Sequence, residues 1–283
     1  MRILITGGTG LLGCPLSGHL RTKGYGVAVC GFSNNANHTA DLTSRHETFE
    51  VLDDIRPDCI INLVALTDVD KCQENPDLAY RLNVKVVENI AHWIHRRSVG
   101  TKLIHISSDQ VYDGVGESIE EDVVLTNIYA FSKYASECPA LSVGGVVLRT
   151  NFFGYSQLEG RLSFSDWLIQ SFKKQEPIKL VTDVFFNPLS ITTLVDCIEK
   201  ACIDYIPGVY NLGSNQGMSK GEFARKLAKV LSLDDANAKD VSVVDINLRA
   251  YRPKDMRMDV AKFENAFKIN LPTLESELEN IRV

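Results

Sequence analysis

The sequence predicts an α/β protein in which a doubly wound parallel sheet is followed by a smaller, more irregular C-terminal domain. Three observations lead to this fold class. Apolar, β-branched runs alternate with helical patterns through the first half of the chain, which is the order that βαβ units require. A glycine-rich turn follows the first run, and the regular alternation ends near residue 149.

Each predicted strand is a short run of apolar and β-branched residues. The predicted strands are Arg2–Thr6, Gly26–Gly31, Asp58–Val64, Lys102–Ser107 and Gly145–Arg149. The third is apolar almost throughout, as expected for a strand that is covered on both faces. The predicted helices are Leu11–Lys23, Thr43–Ile55, Asp77–Arg97, Ile191–Cys202 and Lys220–Leu231. The helix over Asp77–Arg97 carries its apolar residues at helical spacing, which predicts a face turned toward the core.

The change of pattern near residue 149 predicts two domains. The first covers residues 1–150, and a later stretch, about 184–205, returns to it. The second covers residues 151–283 and caps the carboxyl ends of the strands, where α/β sheets bind ligands.

Composition and charge exclude several classes of protein. The 283 residues carry a formal net charge of -6, and this mild acidity does not suit a nucleic-acid partner. The seven cysteines are scattered and never form a C-x-x-C pair, so neither disulfides nor a metal site are expected. The sequence has no apolar run of the ~20 residues that a membrane span needs. The N-terminal strand leaves no room for a signal peptide, and we expect a cytoplasmic protein.

The turn after the first strand has the spacing of a dinucleotide-binding loop. Gly7, Gly10 and Gly13 are separated by two residues each. In such loops the first glycine permits a tight turn, the second lets the backbone approach a pyrophosphate, and the third allows close helix packing. The helix N-terminus then offers unpaired N–H groups to the phosphates. Three glycines alone could form an ordinary turn, but their place after a strand favours a Rossmann-type NAD(P) site.

The end of the second predicted strand bears on the choice between NADP and NAD. An acidic residue there would bind the adenosine ribose and repel a 2′-phosphate. The chain has no acid at this point, and Ser33 and Asn34 could donate to a phosphate. NADP is therefore favoured, with NAD as the alternative. Asp41 and Leu42 are placed to approach the adenine, although Asp41 could equally cap a helix.

A tyrosine and a lysine four residues apart indicate acid–base chemistry. On a helix, Tyr129 and Lys133 would share a face. A phenol titrates at about 10, and a cationic lysine beside it lowers that pKa. The tyrosine could then protonate a carbonyl oxygen during hydride transfer. Ser108 follows a predicted strand and could bind the same oxygen, although strand-end serines are more often turn residues or caps.

Taken in this order, the motifs resemble the extended short-chain dehydrogenase/reductase family, and within it the dTDP-4-dehydrorhamnose reductase group. The resemblance covers most of the chain. It is carried by Gly7–Gly13, Arg56–Asp58, Asn62–Asp70, Asn83, Ser107–Asp109, Tyr129–Lys133, Arg149–Asn151 and Arg252–Asp259.

The resemblance implies roles for particular residues. The implied catalytic triad is Ser108, Tyr129 and Lys133. Implied cofactor contacts are Gly7, Thr9, Gly10, Leu11, Leu12, Gly13, Ala65, Leu66, Thr67, Asn83, Tyr129 and Lys133, beside the Ser33, Asn34, Asp41 and Leu42 named above. Implied substrate contacts are Ser108, Asp109, Asn151 and Arg252. The arginine would meet a diphosphate, which suits a guanidinium; alternatively it lies in a surface loop in which Asp259 caps a helix.

The chain departs from its relatives next to the predicted triad. Ser108 is followed by Asp109 and Gln110, whereas the related 4,6-dehydratases carry Asp-Glu there. A glutamine cannot act as an acid or base, so dehydration is disfavoured. The reductases of the group usually carry Thr-Asp-Tyr at this point and a proline before the catalytic tyrosine, and both are absent. The identity of the sugar therefore stays open.

The resemblance implies NAD(P)H-dependent reduction of a nucleotide-linked 4-keto-6-deoxysugar, in nucleotide-sugar and surface polysaccharide biosynthesis. A nucleotide sugar is the expected partner, no nucleic acid or membrane is expected, and a homodimer is considered. The pairs Phe152/Phe153 and Phe185/Phe186 could line the pocket for the sugar or the base, although aromatic residues more often belong to the core. Two alternatives remain: an epimerase of the same fold, and a non-catalytic NADP-binding regulatory subunit resembling the β subunit of methionine adenosyltransferase.

Overall fold

The computed structural model describes residues 1–31, 36–97, 100–158, 160 and 162–281. The chain divides into two compact units. The first consists of Met1–Ser108, Asn127–Arg149 and Val195–Tyr210, and the second of Asp109–Thr126, Thr150–Leu194 and Asn211–Val283. Among the described residues, no helix combines the length and the apolar character needed to cross a bilayer.

Strands and helices alternate along the chain. The strands are β1 (Arg2–Thr6), β2 (Gly26–Cys30), β3 (Cys59–Asn62), β4 (Lys102–Ile106), β5 (Val146–Thr150), β6 (Phe152–Phe153), β7 (Ile178–Val181), β8 (Phe185–Phe186), β9 (Leu189–Ser190), β10 (Gly208–Leu212), β11 (Met218–Ser219) and β12 (Ala238–Val241). The α-helices are α1 (Gly13–Thr22), α2 (Arg45–Ile55), α3 (Val69–Glu74), α4 (Pro76–Ala79), α5 (Val86–Arg97), α6 (Ile128–Ser142), α7 (Phe164–Lys173), α8 (Ile191–Asp204), α9 (Lys220–Val230), α10 (Ala261–Phe267) and α11 (Leu274–Glu279). A π-helical segment covers Tyr80–Lys85, and 3-10 turns cover Asp109–Val111 and Val243–Asp245.

The first unit is built on a six-stranded sheet in the order β10-β5-β4-β3-β1-β2. Strands β2, β1, β3, β4 and β5 pair in parallel. Every residue of β3 and β5 is buried, which explains their apolar sequences, because a parallel sheet is covered on both faces. The predicted parallel sheet is confirmed, and its five predicted strands end within two residues of the observed limits.

Helix α5 supplies much of the core of the first unit. Val87, Ile90 and Trp93 are buried in one cluster with Leu4 and Ile60 of the sheet. The predicted core-facing stripe is therefore present. The helical prediction over Asp77–Arg97 is also confirmed, since residues 76–97 are helical throughout, with the π-helical segment lying between α4 and α5. Such segments are common at functional sites, where the wider turn redirects side chains.

The second unit has short strands paired two by two, β11 with β8, β12 with β7 and β6 with β9. Its core is rich in aromatic residues. Phe223 of α9 is fully buried and packs edge-on against Phe153 and Phe186, with ring centroids 5.0 and 5.3 Å away. Phe153 and Phe186 are therefore core residues, as the alternative interpretation of these pairs expected; Phe152 and Phe185 are partly exposed.

Candidate active site

The glycine turn joins β1 to α1 through a compact loop. Gly7 has a φ of 69°, in the left-handed region that favours glycine, and its N–H donates to the Cys30 carbonyl (2.9 Å). A Cβ on Gly13 would lie 2.4 Å from the Cα of Gly8. The third glycine of the motif therefore allows the turn to close upon itself. Close approach to the strands falls to Gly8, where a Cβ would lie 2.7 Å from Val29 Cγ1; the three-glycine spacing did not predict this.

The predicted adenosine-binding residues are described only in part. Ser33 and Asn34 lie outside the described residues. Asp41 Oδ1 accepts hydrogen bonds from both the N–H (2.9 Å) and the hydroxyl (2.8 Å) of Thr43. The N-cap of α2 is Ser44, so the alternative prediction that Asp41 caps this helix is wrong. Leu42 is buried.

Asn83 connects the loop after β3 to the helix that carries the predicted catalytic pair. Its Oδ1 accepts from the Leu66 N–H (2.6 Å), and its Nδ2 donates to the Leu66 carbonyl (3.3 Å) and to Ser132 Oγ (2.8 Å). The π-helical segment places Asn83 for these contacts. The predicted cofactor loop Ala65-Leu66-Thr67 is thus held at its middle residue, and Asn83 has a clear structural role.

The predicted catalytic pair lies on α6. Asn127 caps this helix by accepting from the Ala130 N–H (2.8 Å), and Tyr129 and Lys133 are 7% and 2% exposed. The Lys133 ammonium donates to the carbonyl of Ile106, the last residue of β4 (2.7 Å). Ser108, also buried, follows Ile106 by two residues. The first unit therefore contains all three predicted catalytic residues, and Lys133 is bonded next to the strand end that presents Ser108.

Burial sets the charge state of Lys133. It lowers the pKa of the ammonium from 10.5 to about 8, although the negative charge of Glu137 opposes this effect. Glu137 lies one turn further along α6 and forms a buried ion pair with Arg149 (2.7 Å), whose two side chains are 2% and 3% exposed. Glu137 also accepts from the Ser107 hydroxyl (2.6 Å). Ser107 is therefore committed to this ion pair, which sequence reasoning did not identify.

A buried chain of polar side chains runs from the glycine turn to the backbone of Lys133. Thr6 Oγ1 donates to Asn62 Oδ1 (2.6 Å), and Asn62 Nδ2 contacts His105 Nδ1 (3.1 Å). His105 Nε2 contacts Ser136 Oγ (2.8 Å), which donates to the Lys133 carbonyl (2.6 Å). Burial holds the pKa of His105 well below its ordinary value. The imidazole is therefore neutral; because the Asn62 amide donates to Nδ1, its proton lies on Nε2.

The predicted substrate contacts other than Ser108 belong to the second unit. Asp109 is buried in a 3-10 turn and accepts from Asn151 Nδ2 (2.6 Å). Arg252 donates to the carbonyl of Ala250 (2.8 Å). Further along the same segment, Asp259 Oδ1 accepts from the Ala261 N–H (2.8 Å). The N-cap of α10 is Val260, so the alternative prediction that Asp259 caps this helix is wrong.

Comparisons with known proteins agree with this architecture. The family described as the RmlD substrate binding domain matches residues 1–282. The chain belongs to this family. Membership confirms the predicted resemblance to the extended short-chain dehydrogenases/reductases of the dTDP-4-dehydrorhamnose reductase group.

Individual relatives align with nearly the whole chain. It is 29% identical to an Escherichia coli dTDP-4-dehydrorhamnose reductase, over 96% of this chain and 94% of the relative. It is 28% identical to the methionine adenosyltransferase 2 subunit beta of Pongo abelii, over 93% of this chain and 81% of that protein. The crystal structure of a Bacillus anthracis dTDP-4-dehydrorhamnose reductase in complex with NADP superposes with a TM-score of 0.89, at 28% identity over 99% and 98% of the two chains.

Proposed function

We propose that this chain is an NADP(H)-dependent reductase of a keto sugar attached to a nucleoside diphosphate. The observation that carries the proposal is the buried pair of Tyr129 and Lys133 on α6, with the lysine bonded at the end of the strand that leads to Ser108. Such a group combines a proton donor with a cation that stabilises the donor's conjugate base. Membership of the family and its reductase relatives support the same activity.

The residues of the first unit fit a dinucleotide. The glycine turn has no room for side chains at Gly7 and Gly13, and α1 begins directly after it, so backbone N–H groups are available to a pyrophosphate. The loop at Leu66, held by Asn83, would contact the rest of the cofactor. When bound, the nicotinamide would supply the hydride. NADP is proposed over NAD, and the NADP complex of the Bacillus anthracis relative supports this choice.

Each predicted catalytic residue would have one task. Tyr129 would donate its phenolic proton to the carbonyl oxygen of the sugar as that oxygen gains negative charge. Lys133 would stabilise the resulting phenolate, and the hydrogen bond from Ser136 to its backbone carbonyl would keep it in position. Ser108 would donate a hydrogen bond to the same oxygen and orient the ketone.

The other predicted substrate contacts would bind the diphosphate and the sugar hydroxyls. Arg252 would hold the diphosphate, while Asp109 and Asn151, already bonded to each other, would contact sugar hydroxyls. We propose a 4-keto-6-deoxyhexose, supported by the dTDP-4-dehydrorhamnose reductases among the relatives. Gln110 argues against dehydration, because its amide cannot exchange protons as a carboxyl group does.

A second candidate function is a non-catalytic subunit of a larger enzyme. The 28% identity to methionine adenosyltransferase 2 subunit beta over 93% of this chain favours it. The residues of the predicted triad do not decide between the two candidates, since a binding subunit can retain them.

The test is turnover with a panel of nucleotide-linked 4-keto-6-deoxysugars, each with NADPH and with NADH, followed at the nicotinamide absorbance. A reductase consumes the cofactor and forms one reduced sugar per cofactor oxidised. Tight NADP binding without oxidation by any sugar of the panel would contradict the proposal. It would favour the subunit, or an epimerase, which interconverts sugars without net oxidation.

The proposal extends to a homodimer that works in the cytoplasm. Phe131 and Tyr134 on α6 are 58% and 37% exposed, and a second copy would cover such apolar side chains. None of the cysteines in the described residues forms a disulfide, which fits a reducing compartment. Light scattering coupled to size-exclusion chromatography tests the assembly, and a mass equal to one chain would contradict it.

A further inference from the structure

Lys220 stands at a junction of backbone segments in the second unit. It follows β11, which pairs with β8 through Ser219 opposite Phe185. The other edge of β8 bonds to the segment that follows Arg252, because Phe185 N–H donates to the Lys254 carbonyl (2.7 Å). One short strand therefore has Lys220 on one side and the Arg252 segment on the other.

The ammonium of Lys220 is partly buried against aromatic rings. Its Nζ lies 5.9 Å from the centroid of Phe164 and 5.8 Å from that of Phe186. Within the described part of the chain, no acceptor hydrogen-bonds to this Nζ and no carboxylate forms an ion pair with it. Contacts with ring faces offset only part of the cost of removing an ammonium from water.

The electrostatic surroundings of Lys220 connect it to two predicted substrate-binding residues. Burial lowers the pKa of Lys220, the negative charge of Asp109 opposes this effect, and the positive charge of Arg252 adds to it. Both charges are therefore near the ammonium. Two cations share this neighbourhood with one carboxylate, which favours binding of an additional anion.

Two other lysines of the second unit are paired with carboxylates of the protein itself. Lys226, also on α9, forms an ion pair with Glu275 (2.6 Å), and Lys254 forms one with Asp183 (3.1 Å). These pairs need no ligand. Lys220 differs because its charge is partly desolvated without a protein partner, and a buried charge without a partner destabilises a fold. Retaining it is advantageous where an anionic ligand completes the pairing.

We propose that Lys220 is a substrate-binding residue that binds the diphosphate of the substrate together with Arg252. The inference rests on the proposed function, from which it takes the nucleoside diphosphate. A guanidinium binds two phosphate oxygens in one plane, whereas an ammonium acts as a point charge and adapts to the remaining oxygens. The rings of Phe164 and Phe186, whose centroids lie 5.9 and 5.8 Å from the Nζ, keep competing water from one side of the ammonium.

The test is calorimetric binding of thymidine diphosphate, and of thymidine as the uncharged comparison, in the presence of NADP. Lys220→Met should weaken binding of the diphosphate by about tenfold to a hundredfold, the range expected for a lost charge-assisted hydrogen bond. Thymidine binding should not change. Lys220→Arg should retain most of the affinity, and Lys229→Met, at an exposed position on the same helix, should bind like the wild type.

The outcomes separate this inference from the proposed function. If the wild type binds no nucleoside diphosphate, the proposed function fails. If it binds thymidine diphosphate and Lys220→Met binds it equally well, only the assignment of Lys220 is wrong. Thermal unfolding checks that the variant folds, and Lys220→Gln replaces it if it does not. In turnover with the active sugar nucleotide, the account predicts a raised KM with kcat nearly unchanged, and an unchanged KM would contradict it.

Discussion

Replacing Lys133 with methionine should abolish activity and, at the same time, stabilise the fold. The lysine is 2% exposed, and burial lowers its pKa from 10.5 to about 8. Holding the ammonium inside the protein at neutral pH therefore costs about 3 kcal/mol relative to the unfolded chain. Methionine has a similar length and no charge, so the variant does not pay this cost.

One interaction opposes the gain. The ammonium donates to the Ile106 carbonyl (2.7 Å), and leaving that buried oxygen without a partner costs about 1 to 2 kcal/mol. The free energy of unfolding should therefore rise by about 1 to 2 kcal/mol in Lys133→Met at pH 7. This gain should be accompanied by loss of turnover, since the proposed mechanism requires the cation.

The difference in stability between Lys133→Met and the wild type depends on pH with a definite sign. The folded-state pKa of Lys133 lies below the unfolded value, so its destabilising effect is complete below about pH 8. It fades between pH 8 and 10.5, where the folded lysine has lost its proton and the unfolded chain still holds one, and it vanishes once both states are neutral. The stability advantage of the variant should be constant up to about pH 8 and shrink above it.

Urea unfolding of the cofactor-free protein at several pH values measures this difference. Lys102→Met is the matched control, because Lys102 also donates to a backbone carbonyl (Cys202, 2.8 Å) but is only partly buried. The control should be neutral or slightly destabilised. If Lys133→Met were less stable than the wild type by 1 kcal/mol or more, about the full range of a lost neutral hydrogen bond, the argument from burial would be refuted.

Two further predictions concern the glycine turn and the buried ion pair. Gly13→Ala should weaken NADP binding by about tenfold or more, because the new Cβ would lie 2.4 Å from the Cα of Gly8. Gly18→Ala is the control, since a Cβ at this position of the same helix meets open space and should leave binding unchanged. Equal NADP affinities of the two variants in a cofactor titration would contradict this prediction. Glu137→Gln should destabilise the protein by about 3 to 5 kcal/mol, because it leaves the buried Arg149 guanidinium without a compensating charge. A loss of unfolding free energy below about 1 kcal/mol in urea unfolding would show that the ion pair behaves like an exposed one.

The parallel sheet could be predicted from the sequence because its strands are covered on both faces. Burial on both faces requires runs such as Cys59–Asn62, and such runs are recognisable without tertiary information. The π-helical segment Tyr80–Lys85 within the helix predicted over Asp77–Arg97 could not be predicted in the same way. Its residue Asn83 accepts a hydrogen bond from the Leu66 N–H and donates one to Ser132 Oγ, and both partners lie far away in the sequence.

In the proposed site, too, some residues could be predicted from the sequence and others could not. Tyr129 and Lys133 were recognisable because helical spacing alone places them on one face. The partners that determine the charge and position of Lys133 were not, since Glu137 and His105 look like an ordinary helix-surface acid and an ordinary strand residue until the fold buries them. Lys220 was missed for a related reason, because a lysine at the start of a helix resembles many solvent-exposed ones. The role of Lys220 depends on which rings and charges surround it in the folded protein.

The central claim is that Tyr129 donates the proton in a reduction. The most direct measurement compares kcat/KM for the active sugar nucleotide in Tyr129→Phe and in Tyr134→Phe, a more exposed tyrosine on the same helix. The account predicts a loss of about 10²- to 10⁴-fold in Tyr129→Phe and wild-type turnover in Tyr134→Phe. Turnover by Tyr129→Phe within a factor of about two of the wild type, far below the contribution of a general acid, would contradict the account.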